Sequence, residues 1–220
     1  MAEKHMKQNR TKRNDWEDHY SRKARQEKYP ARSVYKLKEI QQKFHLMRKG
    51  GRVLDLGCAP GSWLMYTAEE VGDKGMVVGV DVRALTVQLP QNVRVLKEDV
   101  FIVDVAVLTP GGKKFHVVLS DMAPDTTGNK HVDSARSYNL CETALLIARK
   151  TLVPGGSFVC KIFQGEDFDR FLALVKETFQ SCKIYKPRST RKASKEIYII
   201  GLNKQIEAEV PELTEQEETA

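Results

Sequence analysis

The sequence predicts an α/β chain built on a largely parallel β-sheet with helices on both faces. Three observations carry that prediction. Short apolar runs bounded by turn residues alternate with stretches of helical period from Arg52 to Phe179. The first of these runs, Val53, Leu54 and Leu56, is almost wholly apolar, as a strand buried on both faces requires. The last two, Cys182–Tyr185 and Glu196–Leu202, have no helical stretch between them, so one must run antiparallel.

Taken in order, Met1 to Asn14 is polar and basic and reads as a mobile arm. Asp15 to Pro30 is highly charged, with Trp16, Tyr20 and Tyr29 as anchors. Ser33 to Phe44 reads as a helix with Ser33 as its cap and Val34, Leu37, Ile40, Gln41 and Phe44 on one side. At about 100° per residue Lys36 falls at the margin of that stripe, where it can reach across the surface the helix packs on. A strand over Arg52–Gly57 leads through a tight turn into a helix that Ser62 can cap and that ends near Gly72. Strands follow at Met76–Asp81 and Val93–Lys97, separated by a weak segment broken at Pro90. A short apolar segment, Phe101–Leu108, precedes the turn Pro110-Gly111-Gly112 and the strand Phe115–Asp121. Val132–Leu152 is a long helix with Tyr138, Cys141, Leu145, Ala148 and Leu152 on one face. Pro154-Gly155-Gly156 turns it into the strand Ser157–Phe163, and Asp167–Phe179 is the last helix. No internal repeat is present.

At 220 residues this is one domain with tails, long enough for a substantial core. The formal net charge of +7 is unevenly spread. Up to Lys49 bases outnumber acids 15 to 6, and a second cluster comprises Lys183, Lys186, Arg188, Arg191, Lys192 and Lys195. Ile206–Ala220, by contrast, has six glutamates and no base. Basic clusters flanking a balanced core suit a polyanionic partner, although solvated charged faces would look the same. Cys58, Cys141, Cys160 and Cys182 have no metal-ligand spacing and read as reduced thiols, so no metal site is expected. No apolar run approaches membrane-spanning length and the N-terminus has no signal-peptide core, so no membrane contact and a cytoplasmic location are expected.

The chemistry concentrates on Asp55 to Thr67, D-L-G-C-A-P-G-S-W-L-M-Y-T. A Gly-rich strand-to-helix turn brings a ligand close to the backbone at a helix N-terminus. This one lacks the G-x-G-x-x-G of a dinucleotide cradle, and Pro60 removes an N–H that a pyrophosphate would use. Asp81 ends the next strand 24 residues after Gly57, a spacing that suits a bond to ribose hydroxyls. A ribose-binding acid without a phosphate cradle suggests S-adenosylmethionine; an ordinary tight turn would have the same composition. Asp55, Asp81, Asp99 and Asp121 all fall at or near strand carboxyl ends, where open α/β sheets bind ligands. Lys161 interrupts the apolar run Phe158 to Phe163, and a lysine there needs a partner unless it snorkels from an edge strand. If the last strand is antiparallel, its first residue, Glu196, starts on the edge where the parallel strands finish. Asp121, Lys161 and Glu196 then meet there, with Lys36 arriving from the N-terminal helix.

D-L-G-C-A-P-G-S-W, S-D-M-A-P, P-G-G-S-F-V-C-K-I-F-Q-G-E and S-K-E-I-Y-I-I, with R-S-V-Y-K-L-K-E-I before them, resemble the RrmJ/FtsJ family of RlmE-type ribosomal RNA large-subunit 2′-O-methyltransferases. The similarity runs from about Trp16 to Leu202. It implies a Rossmann-like S-adenosylmethionine-dependent methyltransferase fold: a mostly parallel seven-stranded sheet with one antiparallel edge hairpin. It also implies a catalytic tetrad at Lys36, Asp121, Lys161 and Glu196. The implied cofactor residues are Gly61, Trp63, Asp81, Asp99 and Asp121, with Asp81 on the ribose hydroxyls and Asp99 on the adenine amino group. The implied partner is large-subunit ribosomal RNA within the assembled subunit, methylated at an A-loop uridine by a monomer. Residues 1–30 are then a basic, partly disordered arm, 31–203 the methyltransferase domain and 204–220 an acidic disordered tail. Cys58 and Ser62 stand where the family usually has Ala and Gly, both small replacements, and the run after Asp81, V-R-A-L-T-V-Q, does not match.

A ribose 2′-hydroxyl is a poor nucleophile until its proton is removed, which calls for a positioned base. Lys161 is the expected base, oriented by Asp121 and Glu196, with Lys36 as the second cation. Relatives with the same tetrad modify transfer RNA anticodon loops, which keeps a transfer RNA substrate open. A non-enzymatic ribosome-assembly factor is the reading from a different class, and an intact tetrad argues against it. The missing G-x-G-x-x-G argues against a nicotinamide dehydrogenase.

Overall fold

The computed structural model describes residues 12–124 and 127–206. The expected start of the N-terminal arm and most of the acidic tail lie outside them.

Seven strands form one sheet in the order β3-β2-β1-β4-β5-β7-β6. They are β1 (Arg52–Leu56), β2 (Met76–Asp81), β3 (Val93–Lys97), β4 (Phe115–Ser120), β5 (Leu152–Phe163), β6 (Phe179–Tyr185) and β7 (Glu196–Lys204). Strands β3, β2, β1, β4 and β5 pair in parallel, while β7 lies antiparallel to both β5 and β6. This is the expected edge hairpin. It puts the first residue of β7 beside the carboxyl end of β5, with Phe163 opposite Glu196.

The helices are α1 (Lys12–Gln26), α2 (Val34–Phe44), α3 (Ser62–Val71), the four-residue α4 (Val105–Leu108), α5 (Lys130–Thr151) and α6 (Phe168–Thr178). Strand alternation splits the core in two. Leu54, Val78, Val118, Phe158 and Ile199 pack with α5 and α6 on one face. Val53, Val77, Leu119, Val159, Tyr198 and Ile200 pack with α2 and α3 on the other. Successive strand residues point to opposite faces. Asp121, Lys161 and Glu196 are each two residues from a member of the second group, so all three belong to the α2 side.

Several boundaries differ from the sequence reading. Helix α1 occupies half of residues 1–30, the stretch read as a basic arm, with the expected anchors Tyr20 against Tyr35 at 5.1 Å and, just past the helix, the Tyr29 hydroxyl on Glu69 at 2.8 Å. Neither serine acts as the expected cap. Ser33 sits at the N-cap of α2 in helical φ/ψ with no capping bond. Ser62 is the first residue of α3, and its hydroxyl accepts the Ala31 N–H at 2.7 Å, tying α3 to the chain entering α2. Strand β5 begins at Leu152, not Ser157, because Leu152 already pairs with Phe115 before an irregularity at Pro154-Gly155-Gly156.

Candidate active site

Asp121 follows the last residue of β4, where the strand leaves the sheet. Across the β5–β7 ladder, Lys161 stands opposite Tyr198. The Lys161 side chain is only 7% exposed; its Nζ donates to the Asp121 main-chain oxygen at 2.5 Å and lies 3.2 Å from Asp121 Oδ1. The Tyr198 hydroxyl donates to the same Oδ1 at 2.7 Å. Lys36, from α2, pairs with Glu196 at 2.5 Å. The four tetrad residues therefore meet at one edge as two ion pairs, Lys161–Asp121 and Lys36–Glu196. Burial alone would raise the Asp121 carboxyl, but Lys161, Lys36 and the Tyr198 hydroxyl outweigh it and hold it below the usual range. Asp121 is therefore an anion. Burial, with Asp121 and Glu196 beside it, holds the Tyr198 phenol protonated well past its ordinary range, so it remains a donor.

Two cavities open at this edge. The larger, about 720 Å³, is walled by the turn after β1, the ends of β2 and β4, and Phe101. Trp63, Asp81, Asp99 and Asp121 line it. Gly61 does not. It sits between two lining residues, Pro60 and Ser62, at φ +107° as the N-cap of α3, and a Cβ there would lie 2.8 Å from Val87. Asp81 accepts the Ala59 N–H at 2.9 Å and the Arg83 N–H at 2.8 Å, with the Arg83 side chain at 3.2 Å. These bonds overcome burial and lower the Asp81 pKa, so it too is ionised. Asp99 accepts one bond, from the Phe101 N–H at 3.0 Å. Trp63 is nearly buried, with its indole N–H donating to Ser33 O at 2.9 Å and its ring 6.1 Å from Tyr198.

The smaller cavity, about 520 Å³, is lined by Arg32, Lys36, Ser189, Arg191 and Glu196 among others. Ser33 lines both cavities. The tetrad thus spans their boundary, with Asp121 on the first and Lys36 and Glu196 on the second.

The model of the FtsJ-like methyltransferase family matches residues 29–204. The chain belongs to the FtsJ-like methyltransferase family. It is 54% identical over 193 residues to ribosomal RNA large subunit methyltransferase E of Desulforapulum autotrophicum, covering 88% of this chain and 95% of that one. It is 47% identical over 189 residues to the Bdellovibrio bacteriovorus protein of the same name, covering 85% and 96%. Among solved structures, a Plasmodium falciparum protein provisionally described as a ribosomal RNA methyltransferase superposes with TM-score 0.71 at 25% identity, covering 81% of this chain and all of that one. A Clostridium thermocellum protein with TM-score 0.52 and 17% identity, covering 76% and 96%, shares the fold.

Two residues of this FtsJ-like methyltransferase were not found by sequence reasoning. Tyr198 lies within S-K-E-I-Y-I-I, two positions from Glu196, and strand alternation gives it the same face. Arg83 lies two residues past Asp81, in the run that matched no family motif. Asp55, which the sequence already placed near a strand end, is fully buried on the α2 side, and neither carboxylate oxygen has a protein hydrogen-bond partner among the described residues. Burial, reinforced by Asp121 and Asp81, pushes its pKa well above the carboxylate range, so Asp55 is a neutral acid.

Proposed function

We propose that this methyltransferase modifies a ribose 2′-hydroxyl of large-subunit ribosomal RNA, using S-adenosylmethionine, with an A-loop uridine of the assembled subunit as its target. It is proposed to act as a cytoplasmic monomer. One observation carries the reading: the Lys161 side chain, nearly buried in an apolar strand, meets Asp121 on the wall of the larger cavity. The relatives' shared name supports ribosomal RNA as the substrate.

The larger cavity suits the cofactor's chemistry. Ionised Asp81 can accept from vicinal ribose hydroxyls, Asp99 from an exocyclic amine, and Trp63, Val100 and Phe101 supply apolar surface. When bound, S-adenosylmethionine supplies an electrophilic methyl group. The chain's residues do the rest. The smaller cavity takes the acceptor nucleotide, with Arg32 and Arg191 suited to its phosphates. Lys161 accepts the 2′-hydroxyl proton once it has given up its own to solvent, since only the uncharged amine can act as a base. Asp121 and the Tyr198 hydroxyl fix the direction of that amine, and Lys36, held by Glu196, stabilises the developing alkoxide.

The test is methylation of large subunits from cells lacking the protein, with the modified ribose mapped by mass spectrometry. Methyl transfer to the base, or to purified transfer RNA instead, would overturn the assignment.

A further inference from the structure

We propose that Glu39 is a positioning residue that builds the acceptor side of the site, by clamping the loop between β6 and β7 from the same helix that carries Lys36. The proposal rests on the functional reading above and adds a residue with no place in the tetrad or the cofactor cavity.

Residues 186–195 contain five bases, Lys186, Arg188, Arg191, Lys192 and Lys195, and no acid. Such a loop repels itself and has little apolar content to fold around, only Pro187 and Ala193. It is nevertheless ordered from its root. Glu39 Oε2 accepts the Arg188 N–H at 2.6 Å, and Oε1 accepts the Ser189 N–H at 2.8 Å. The Tyr185 hydroxyl, at the end of β6, adds a third bond to Oε2 at 3.4 Å. Each carboxylate oxygen thus holds one of two successive backbone amides, a charge-assisted arrangement that a neutral side chain reproduces only in part. Arg32 completes the grip by donating to Ser189 O at 2.8 Å. Beyond this root the loop closes on itself through Thr190 N to Pro187 O at 3.0 Å and Lys186 Nζ to Ser194 O at 2.7 Å.

What the clamp orders is the wall of the smaller cavity, which Ser189, Arg191, Ala193 and Ser194 all line. The Ser189 hydroxyl is buried on that wall and has no protein hydrogen-bond partner among the described residues. Glu39 itself does not line the cavity. It stands one turn from Lys36 on α2, so one helix fixes both ends of the loop: residues 188–189 through Glu39, and Glu196 through Lys36. An internal anion at the root also offsets part of the loop's self-repulsion. The cofactor cavity shares only Ser33 with this wall, so the clamp should act on one substrate and not the other.

The experiment uses the full chain with Glu39→Ala, which removes both acceptors, and Glu39→Gln, which keeps side-chain length and one of them. With undermethylated large ribosomal subunits as substrate, Glu39→Ala should raise KM for the subunit about tenfold or more, the scale of one missing charge-assisted bond, with Glu39→Gln between it and wild type. S-adenosylmethionine affinity by calorimetry should stay within about twofold. Amide hydrogen exchange at Arg188 and Ser189 should quicken in both variants while the β-sheet core keeps its protection. A wild-type KM with unchanged exchange overturns the proposal, as does an equal loss of cofactor affinity, which would mark a general loss of structure. If Glu39→Ala does not fold, Glu39→Gln decides alone. A wild-type protein inactive on subunits would defeat the functional reading, and the exchange measurement would still judge the clamp.

Discussion

Lys161 shows how a single residue type can betray a site. A cation inside an apolar strand must have a partner, and here it has two acceptors on Asp121. Lys161→Ala should lower single-turnover methyl transfer at least ~10²-fold, the scale of a missing general base. Lys161→Arg should be about as inactive, because a guanidinium stays protonated. Near-normal rates in the arginine variant would make Lys161 a fixed charge instead of a base. Asp81→Ala should weaken cofactor binding by about 1–3 kcal/mol through the removal of charge-assisted bonds; unchanged affinity by calorimetry in the folded variant would remove Asp81 from the site. Asp55 makes a prediction about pH. In the unfolded chain it ionises at the ordinary carboxylate value of about 4, whereas in the fold it stays protonated well above that. Folding therefore takes up a proton, and stability from this group falls as pH rises past its unfolded pKa. Asp55→Asn removes that loss, so its advantage in Tm over wild type should grow between about pH 4 and 7. Parallel curves would mean that Asp55 is ionised in the fold. Lys161 was legible in the sequence because it interrupts an apolar run, and Asp81, Asp99 and Asp121 because they fall at or near strand ends; Arg83, in a run without a pattern, was not. Tyr198 was not, since a tyrosine breaks nothing in a strand, and only the observed ladder puts its hydroxyl on Asp121.

At the scale of elements, turn and period signals located every strand, while ends settled by tertiary pairing went astray. Nothing in Leu152-Val153 forecasts a strand, because what recruits them is the facing Phe115 of β4. Ser62 had the composition of a cap, yet a neighbouring segment took its hydroxyl. The antiparallel strand β7 is the element on which the site depends most. Its α2 face carries Glu196 and Tyr198, and its other face must admit Phe179, which stacks on Phe158 at 5.9 Å. Gly201 makes that possible: a Cβ there would lie 2.5 Å from the Phe179 ring. Gly201→Ala should therefore cost about 1–3 kcal/mol in chemical denaturation, as overpacking of a filled core does. Because the clash falls on the face away from the tetrad, cofactor affinity should be unchanged. A variant as stable as wild type would show that the ring has room to move.

Over the whole molecule, charge and topology combine. The sequence shows where the bases lie along the chain, but not that two distant clusters share one cavity. That follows from α2 packing beside the β6–β7 loop, which brings Arg32 and Lys36 to face Arg191 across the smaller cavity. RNA affinity should accordingly depend on salt, since each phosphate neutralised releases counterions. Removing residues 206–220, whose six glutamates cannot favour a polyanion, should leave methylation nearly intact. The quadruple change of Lys186, Arg188, Arg191 and Lys192 to Ala should weaken RNA binding and flatten the slope of log affinity against log salt. The expected flattening is up to about 0.7 for each single-strand phosphate that is no longer neutralised, so close to 3 if all four bases engage phosphates. Cofactor affinity, which the proposed reading assigns to the other cavity, should not follow. An unchanged slope would move the RNA surface off this loop, leaving the basic N-terminal region to engage the phosphates.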